Sequence, residues 1–259
     1  MIPPADTFGS VSALVSRIQE YRKGDDEHAH IRWLWRGQPD ETWDLIPGVY
    51  RSSFGVNNES ERLLKEQHLS QDFRVESAGL IEGLESDARL YFLQQHYGMP
   101  TSLLDWTNNA LAALFFAARE QPEKDGAVFL MDGYELSPTQ KAASEYQGIV
   151  TMRHPMFQKA LRRIAWDENE KFPKAIMAIR PDVADRRIGL QRSCFTFHVP
   201  NRKALTQSEN TSLLRFRIPK DAKGRIVADL VLLGIDEFSI YGDLEHLALR
   251  LKRAHGIRS

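Results

Sequence analysis

Residues 110–118 read ALAALFFAA, nine consecutive apolar residues and the longest such run in the chain. Alanine and leucine are strong helix formers, and the flanks extend the segment to Asn108–Arg119. A surface helix carries one apolar stripe, whereas this one is apolar around most of its girth. Other elements must therefore cover it on several sides, which makes it the expected central buried helix. It is too short for a bilayer span, which takes about 20 apolar residues. The opening MIPPADTFGS lacks the basic-then-apolar pattern of a secretory leader. With one cysteine, Cys194, in 259 residues, no internal disulfide framework exists, and the expected compartment is a reducing cytoplasm with no membrane contact.

The composition supplies enough apolar material to surround that helix: 42% hydrophobic and 27% charged residues exclude wholesale disorder. Thirty-four Lys and Arg against 35 Asp and Glu exclude a globally basic nucleic-acid binder. Charge is uneven, however. Gly55–Leu90 holds eight acids and four bases, and Arg153–Arg192 holds ten bases and five acids. These stretches are either solvated faces or, for the second, a basic face beside an anionic ligand.

Apolar spacing predicts helices at Phe8–Tyr21, Glu59–Glu76, Asp87–Tyr97 and Asp243–Ala254. Gly98 and Pro100 close the third of these. Strand character marks Ile31–Gly37, Gly126–Asp132, Ala175–Arg180, Cys194–Val199 and Leu213–Pro219. Asp221–Leu233 reads as a helix or a buried strand. The expected fold is α+β and a single domain, with a helix-rich N-terminal half packed on a mixed or antiparallel sheet from the C-terminal half.

No GxGxxG, GxxxxGK[ST], HExxH, GxSxG or cysteine pair occurs. His28 and His30 form only a weak metal signal, and no metal is expected. Three stretches place chemically expressive residues where a scaffold has no need of them. In Trp33–Gln38, Arg36 ends an aromatic strand beside a glycine, where a fork of donors either binds phosphate or carboxylate or closes a buried salt bridge. Arg51, after a Pro-Gly turn, joins that site or sits on the surface. In Leu93–Thr107, Gln95 and His96 run into the Gly98–Pro100 turn, and Thr101, Ser102, Asp105 and Thr107 crowd the start of the apolar helix. Asp105 or Thr107 caps that helix, or their oxygens serve a ligand. His96 is either a satisfied hydrogen-bonding residue or a ligand-contacting acid/base. In Ile188–His198, Gln191 precedes a strand and aims an amide into a cleft, and Cys194 reads as a small buried hydrophobe.

These residues resemble the FRG domain. Trp35-Arg36-Gly37-Gln38 resembles its Phe-Arg-Gly signature, and Leu45, Pro47 and Arg51 fit the usual continuation. Gln95–Thr107 resembles its strongest block, and Ala113–Ala117 the helix that follows. Gln191 with Phe195-Thr196 resembles a third block, and Asp236–Leu247 an ending in which a short strand leads into a last helix. The resemblance runs from about Ile31 to Leu251, within one domain over 1–259. Trp35 replaces a phenylalanine, Arg192-Ser193 replaces a glycine, and Tyr241-Gly242-Asp243 stands where Phe-Pro-Asp is usual.

The resemblance implies a bacterial toxin or antiphage effector. The arginine–glycine opening is also similar to that of arginine–serine–glutamate ADP-ribosyltransferases, which implies NAD as substrate. On that similarity Arg36 holds an NAD phosphate, with Gln38, Arg51, Asp105 and Gln191 around the ligand. Thr101 and Ser102 supply the hydroxyl segment, and Glu237 is the late catalytic acid on a short strand. His96 acts in catalysis or binds ribose. The expected partners are this nucleotide-like anion and a protein or nucleic-acid target. Two alternatives stay open. One is a non-catalytic domain sensing a nucleotide, nucleic acid or phage protein. The other is a phosphodiester-cleaving enzyme using His96 with Asp105.

Overall fold

In a computed structural model of the chain the described residues are 4–21, 29–81, 86–136, 149–164, 176–182, 186–198, 204–206, 210 and 212–257. The apolar run forms helix α5 (Ala110–Ala118), and Leu114 and Phe115 are fully buried. Burying such side chains is worth about 1.5–3 kcal/mol each. The helix lies directly on two glycines of the sheet beneath it. A Cβ on Gly37 would stand 1.8 Å from the Ala113 carbonyl oxygen, and one on Gly126 would stand 2.4 Å from that of Ala117. The backbone that Gly37 admits is therefore that of α5.

The sheet has eight strands in the order β1-β8-β4-β2-β3-β7-β6-β5. They are β1 (Pro4–Thr7), β2 (Trp33–Gln38), β3 (Leu103–Thr107), β4 (Gly126–Asp132), β5 (Val150–Thr151), β6 (Ile176–Arg180), β7 (Ser193–His198) and β8 (Leu214–Ile218). The two outermost pairs are parallel and the inner pairs antiparallel. The fold is thus α+β with a mixed sheet. Its strands do not come from the C-terminal half alone: the centre, β4-β2-β3, is built from residues 33–132. The strand at Leu103–Thr107 is hidden in sequence because its hydroxyl-rich approach looks like the lead-in to a helix, and its partner β7 lies some 90 residues on.

Period-two alternation divides the strands between cores. On one face, Trp35, Val128, Leu130 and Phe216 pack under α5, α1 (Val11–Tyr21) and α8 (Lys220–Leu232). Leu103, Phe195 and Phe197 pack under α4 (Asp87–His96) and α6 (Pro155–Ile164). The opposite face carries Leu34, Leu104, Trp106, Phe129 and Cys194. Helix α2 (Ala29–Arg32) leads into β2, α3 (Glu59–Glu76) packs on α4 and α6, and α7 (Arg186–Leu190) precedes β7. The segment at Glu237–Tyr241, expected as a strand, is a short helix, α9. Asp236 and Ser239 cap it reciprocally, which satisfies the free N–H groups that favour a helix there. The amphipathic helix α10 (Leu244–Ala254) packs on α9. Among the described residues, no helix is long and apolar enough to cross a membrane.

Between β2 and β3 the register holds only one pair, Trp35 with Thr107. From that rung the strands diverge, so two four-stranded halves meet along an open seam at the middle of the sheet.

Candidate functional site

The seam opens into a cleft of about 600 Å³. Its walls come from the end of β2, the start of β3, the turn after α4 and the end of α5. Arg36, Gln38, Arg51, Gln95, His96, Asp105 and Gln191 all line it. Arg36 and His96, more than 50 residues apart in the chain, thus share one cavity.

The turn that delivers His96 follows from its residues. Gly98 takes a φ of 81°, and the Gly98 and Met99 amides donate back to the Gln95 and Gln94 carbonyls, closing α4 in a Schellman motif. Pro100 then packs on Gly48, where a Cβ would approach the proline Cα to 2.9 Å. That contact brings the 3-10 turns at Gly48–Tyr50 and Ser52–Phe54, with Arg51 between them, to the cleft. His96 is half-buried and meets the Tyr97 ring edge-on at 5.0 Å.

Arg36 spans the seam. Its Nη1 donates to the Asp105 carbonyl at 2.7 Å, and the Asp105 carboxylate lies 3.9 Å away. The side chain is only 13% exposed, yet Nε is buried without a partner among the described residues. Burial lowers its pKa to about 10, opposed by Asp105 and aided by the like charge of Arg51. A buried guanidinium with one hydrogen bond among five donor hydrogens is poorly compensated. Among the described residues two more buried polar atoms of the cleft lack partners, Gln38 Oε1 and Gln191 Nε2. Asp105 is 57% exposed and fixed by Gln95 Nε2 at 2.8 Å. Thr101 Oγ1 in turn donates to Gln95 Oε1.

Gln191 is aimed by an unusual turn. Arg192 has a φ of 47°, in the left-handed region where glycine is at ease, and occupies the place of the glycine usual in the resembled block. Thr107 Oγ1 donates to the Gln191 carbonyl at 2.5 Å.

Three expected site residues do not line the cleft. Thr101 is buried, where its hydroxyl donates to Gln95 and accepts from the Leu103 amide at 3.1 Å. Ser102 is buried in a separate knot, where its amide and hydroxyl donate to Glu66 at 2.8 and 3.0 Å. Glu66 also accepts from Tyr91 and, at 2.5 Å, from Arg62, while Arg62 forks onto Glu59. Glu237 is buried at the start of α9 between Arg119 and Arg253; burial pushes its carboxyl up, but the hydrogen bond from its own backbone amide and then the Arg253 and Arg119 guanidiniums hold it below the usual carboxylate range. It stands behind Arg119 rather than in the cavity, because the helix places it at an N-terminus packed on the end of α5. The α5 cap is Asn109, whose side chain accepts from Leu111 and Ala112, and not Asp105 or Thr107, which lie in β3. Cys194 is fully buried, donates to Asn108 Oδ1 at 3.0 Å, and has its thiol pKa pushed up to about 12 by burial. His28 lies outside the described residues, as do residues 165–175 and 183–185 of the basic stretch Arg153–Arg192.

Sequence reasoning gave no site role to several wall residues, among them Trp43, Phe116, Arg119 and Glu120. The last three end the apolar helix, and the switch from FAA to charged residues was the available signal. Lys223 fixes that end of the helix. Its buried ammonium donates to the carbonyls of Pro39, Glu120 and Gln121 at 2.7, 2.9 and 3.0 Å. The cleft thus presents three guanidinium groups, two carboxylates, a histidine, amides and aromatic rings.

Among known families, residues 31–126 match the model described as FRG domain. The match begins at Ile31, where the resemblance in sequence begins, and ends at Gly126, so the blocks at Gln191 and after Asp236 lie beyond it. No curated protein and no solved structure was found to match the chain.

Proposed function

We propose that this chain, which carries an FRG domain over residues 31–126, binds an anionic, ring-bearing molecule of nucleotide size in the seam cleft, with NAD as the ligand. The observation that carries this reading is the buried guanidinium of Arg36 on the cavity wall, with one hydrogen bond and a partnerless Nε among the described residues. A planar fork of that kind suits a phosphate oxygen pair. The volume falls in the range of small-molecule sites. Trp43, 44% exposed on the wall, and Phe116 offer faces for a base or nicotinamide ring.

A second reading, NAD cleavage or ADP-ribosyl transfer by a toxin or antiphage effector, is favoured by one further observation: Glu120 and Asp105 stand on the cavity wall. Loss of neutral nicotinamide leaves a cationic sugar, and a preorganised carboxylate near the developing charge lowers the barrier. Arginine on the phosphates fixes the orientation. In this reading Glu120 takes the role expected of Glu237.

Calorimetric titration of the full chain with NAD tests binding, and chromatographic detection of nicotinamide with labelled NAD and lysate tests cleavage. Binding that Arg36→Met abolishes supports the first reading. Nicotinamide release or transfer that Glu120→Gln removes, with binding retained, establishes the second. No NAD binding overturns both. Loss of nucleic acid dependent on His96 in that case favours phosphodiester cleavage.

A further inference from the structure

We infer that Arg119 is a second anion-binding residue of the cleft, held for that task by Glu237, and that the ligand class is a diphosphate rather than a monophosphate. This rests on the anion-binding reading above and names the second contact within it.

Arg119 follows α5, and the end of that helix is fixed beside the end of β2. Gly126 takes the Ala117 carbonyl at close range, and Lys223 ties the Pro39 carbonyl to those of Glu120 and Gln121. The guanidinium is 24% exposed and lines the cavity. Behind it, Glu237 Oε1 lies 3.6 Å from Nε. The Tyr241 hydroxyl accepts from Nη1 at 3.1 Å, and the rings of Phe115 and Tyr241 flank the group at 5.8 and 5.5 Å. Among the described residues Nη2 donates to nothing.

Glu237 does not neutralise this site. It is shared with Arg253 on α10, so one buried carboxylate faces two guanidinium groups and the cluster keeps a positive charge. A carboxylate behind an arginine fixes its rotamer, and a pre-set side chain loses little freedom when a ligand arrives. Arg51 also lines the cavity, but it is exposed and its side chain has no hydrogen bond or ion pair among the described residues, so it is not pre-set as Arg119 is. Two guanidinium groups, Arg36 from β2 with a buried Nε that lacks a partner among the described residues and Arg119 after α5 with one hydrogen bond there, to Tyr241, therefore line one cavity. A single phosphate satisfies one of them; two linked phosphates satisfy both.

The test titrates the full chain with inorganic phosphate, inorganic pyrophosphate, ADP and ADP-ribose. The parent protein should bind pyrophosphate at least tenfold more tightly than phosphate. Arg119→Met and Glu237→Gln should bring that ratio close to one while phosphate binding persists, which a merely structural role of Glu237 would not do. If Glu237→Gln fails to fold, Arg119→Met and Tyr241→Phe decide, the latter weakening the ratio in part. ADP-ribose binding more tightly than ADP assigns a bridged diphosphate; equal binding assigns a terminal one, and both support the inference. An unchanged ratio in Arg119→Met overturns it and leaves the anion-binding reading standing. Absence of binding to all four probes by the parent overturns both.

Discussion

Ser102 and Asp105 stand three residues apart, yet the polar clusters they join meet their charges in opposite ways. Around Ser102, the Glu66 carboxylate accepts from Arg62, Tyr91 and both donors of Ser102, and Arg62 is completed by Glu59 and the Tyr50 ring at 4.7 Å. Desolvation is matched by hydrogen bonds, and the knot pins the start of β3 to α3 and α4. Burial and the adjacent carboxylate drive the Tyr91 hydroxyl pKa well above its ordinary value. Around Asp105, Arg36 keeps one hydrogen bond and a partnerless Nε among the described residues. The first cluster is finished by the protein; the second, among the described residues, is not. Polarity near a conspicuous motif does not mark a site. Incomplete polarity does.

Breaking the knot should have the largest effect. Glu66→Ala leaves the Arg62 charge buried with Glu59 as its one carboxylate and takes the acceptor from the Tyr91 and Ser102 hydroxyls, and should lower stability by about 3–5 kcal/mol in urea unfolding. Arg36→Met should do the reverse. Removing an under-bonded buried cation should change stability by less than about 1 kcal/mol while ligand affinity falls by about 2–3 kcal/mol, the scale of a charged hydrogen-bonded contact. If Arg36→Met unfolds as readily as Glu66→Ala, the two clusters are alike and Arg36 is a structural ion pair.

A smaller test concerns the turn that aims Gln191. Arg192→Gly relieves the left-handed conformation and should raise stability by about 1 kcal/mol in thermal unfolding, with the cleft intact. The smallest concerns Asp40, a fully satisfied carboxylate at the margin. Its pKa is held down to about 2 by Lys124 at 2.6 Å and by the Thr42 hydroxyl and amide at 2.7 and 2.9 Å. A depressed carboxyl contributes stability that is present above the unfolded value of about 4 and is lost as pH falls through the folded value. Asp40→Asn should therefore be less stable than the parent at neutral pH, and the difference should shrink below about pH 4 and vanish near pH 2. A difference that persists at pH 2 would place the effect in packing.

The elements that depend on local pattern were readable from the chain. Glu59–Glu76, Gly126–Asp132 and the buried helix at 110–118 stand where spacing and composition place them. The convergence of Arg36 and His96 was readable through motif resemblance. What escaped depends on distant partners. Leu103–Thr107 becomes a strand because β7 pairs with it, and Ser102 is spent on Glu66, 36 residues earlier. Glu237 sits in a helix because Asp236 and Ser239 cap each other, and an acid's distance from a cleft leaves no trace in its own neighbourhood. Arg119 looks like an ordinary end to a helix until Lys223 fixes that end beside β2.

The single rung joining β2 to β3 has a consequence of its own. The cavity exists because a ladder stops early, and the stop is a property of the main chain. Substituting one wall residue alters which molecule fits without closing the space. A space set by an unfinished hydrogen-bond row can outlast changes in the side chains that line it.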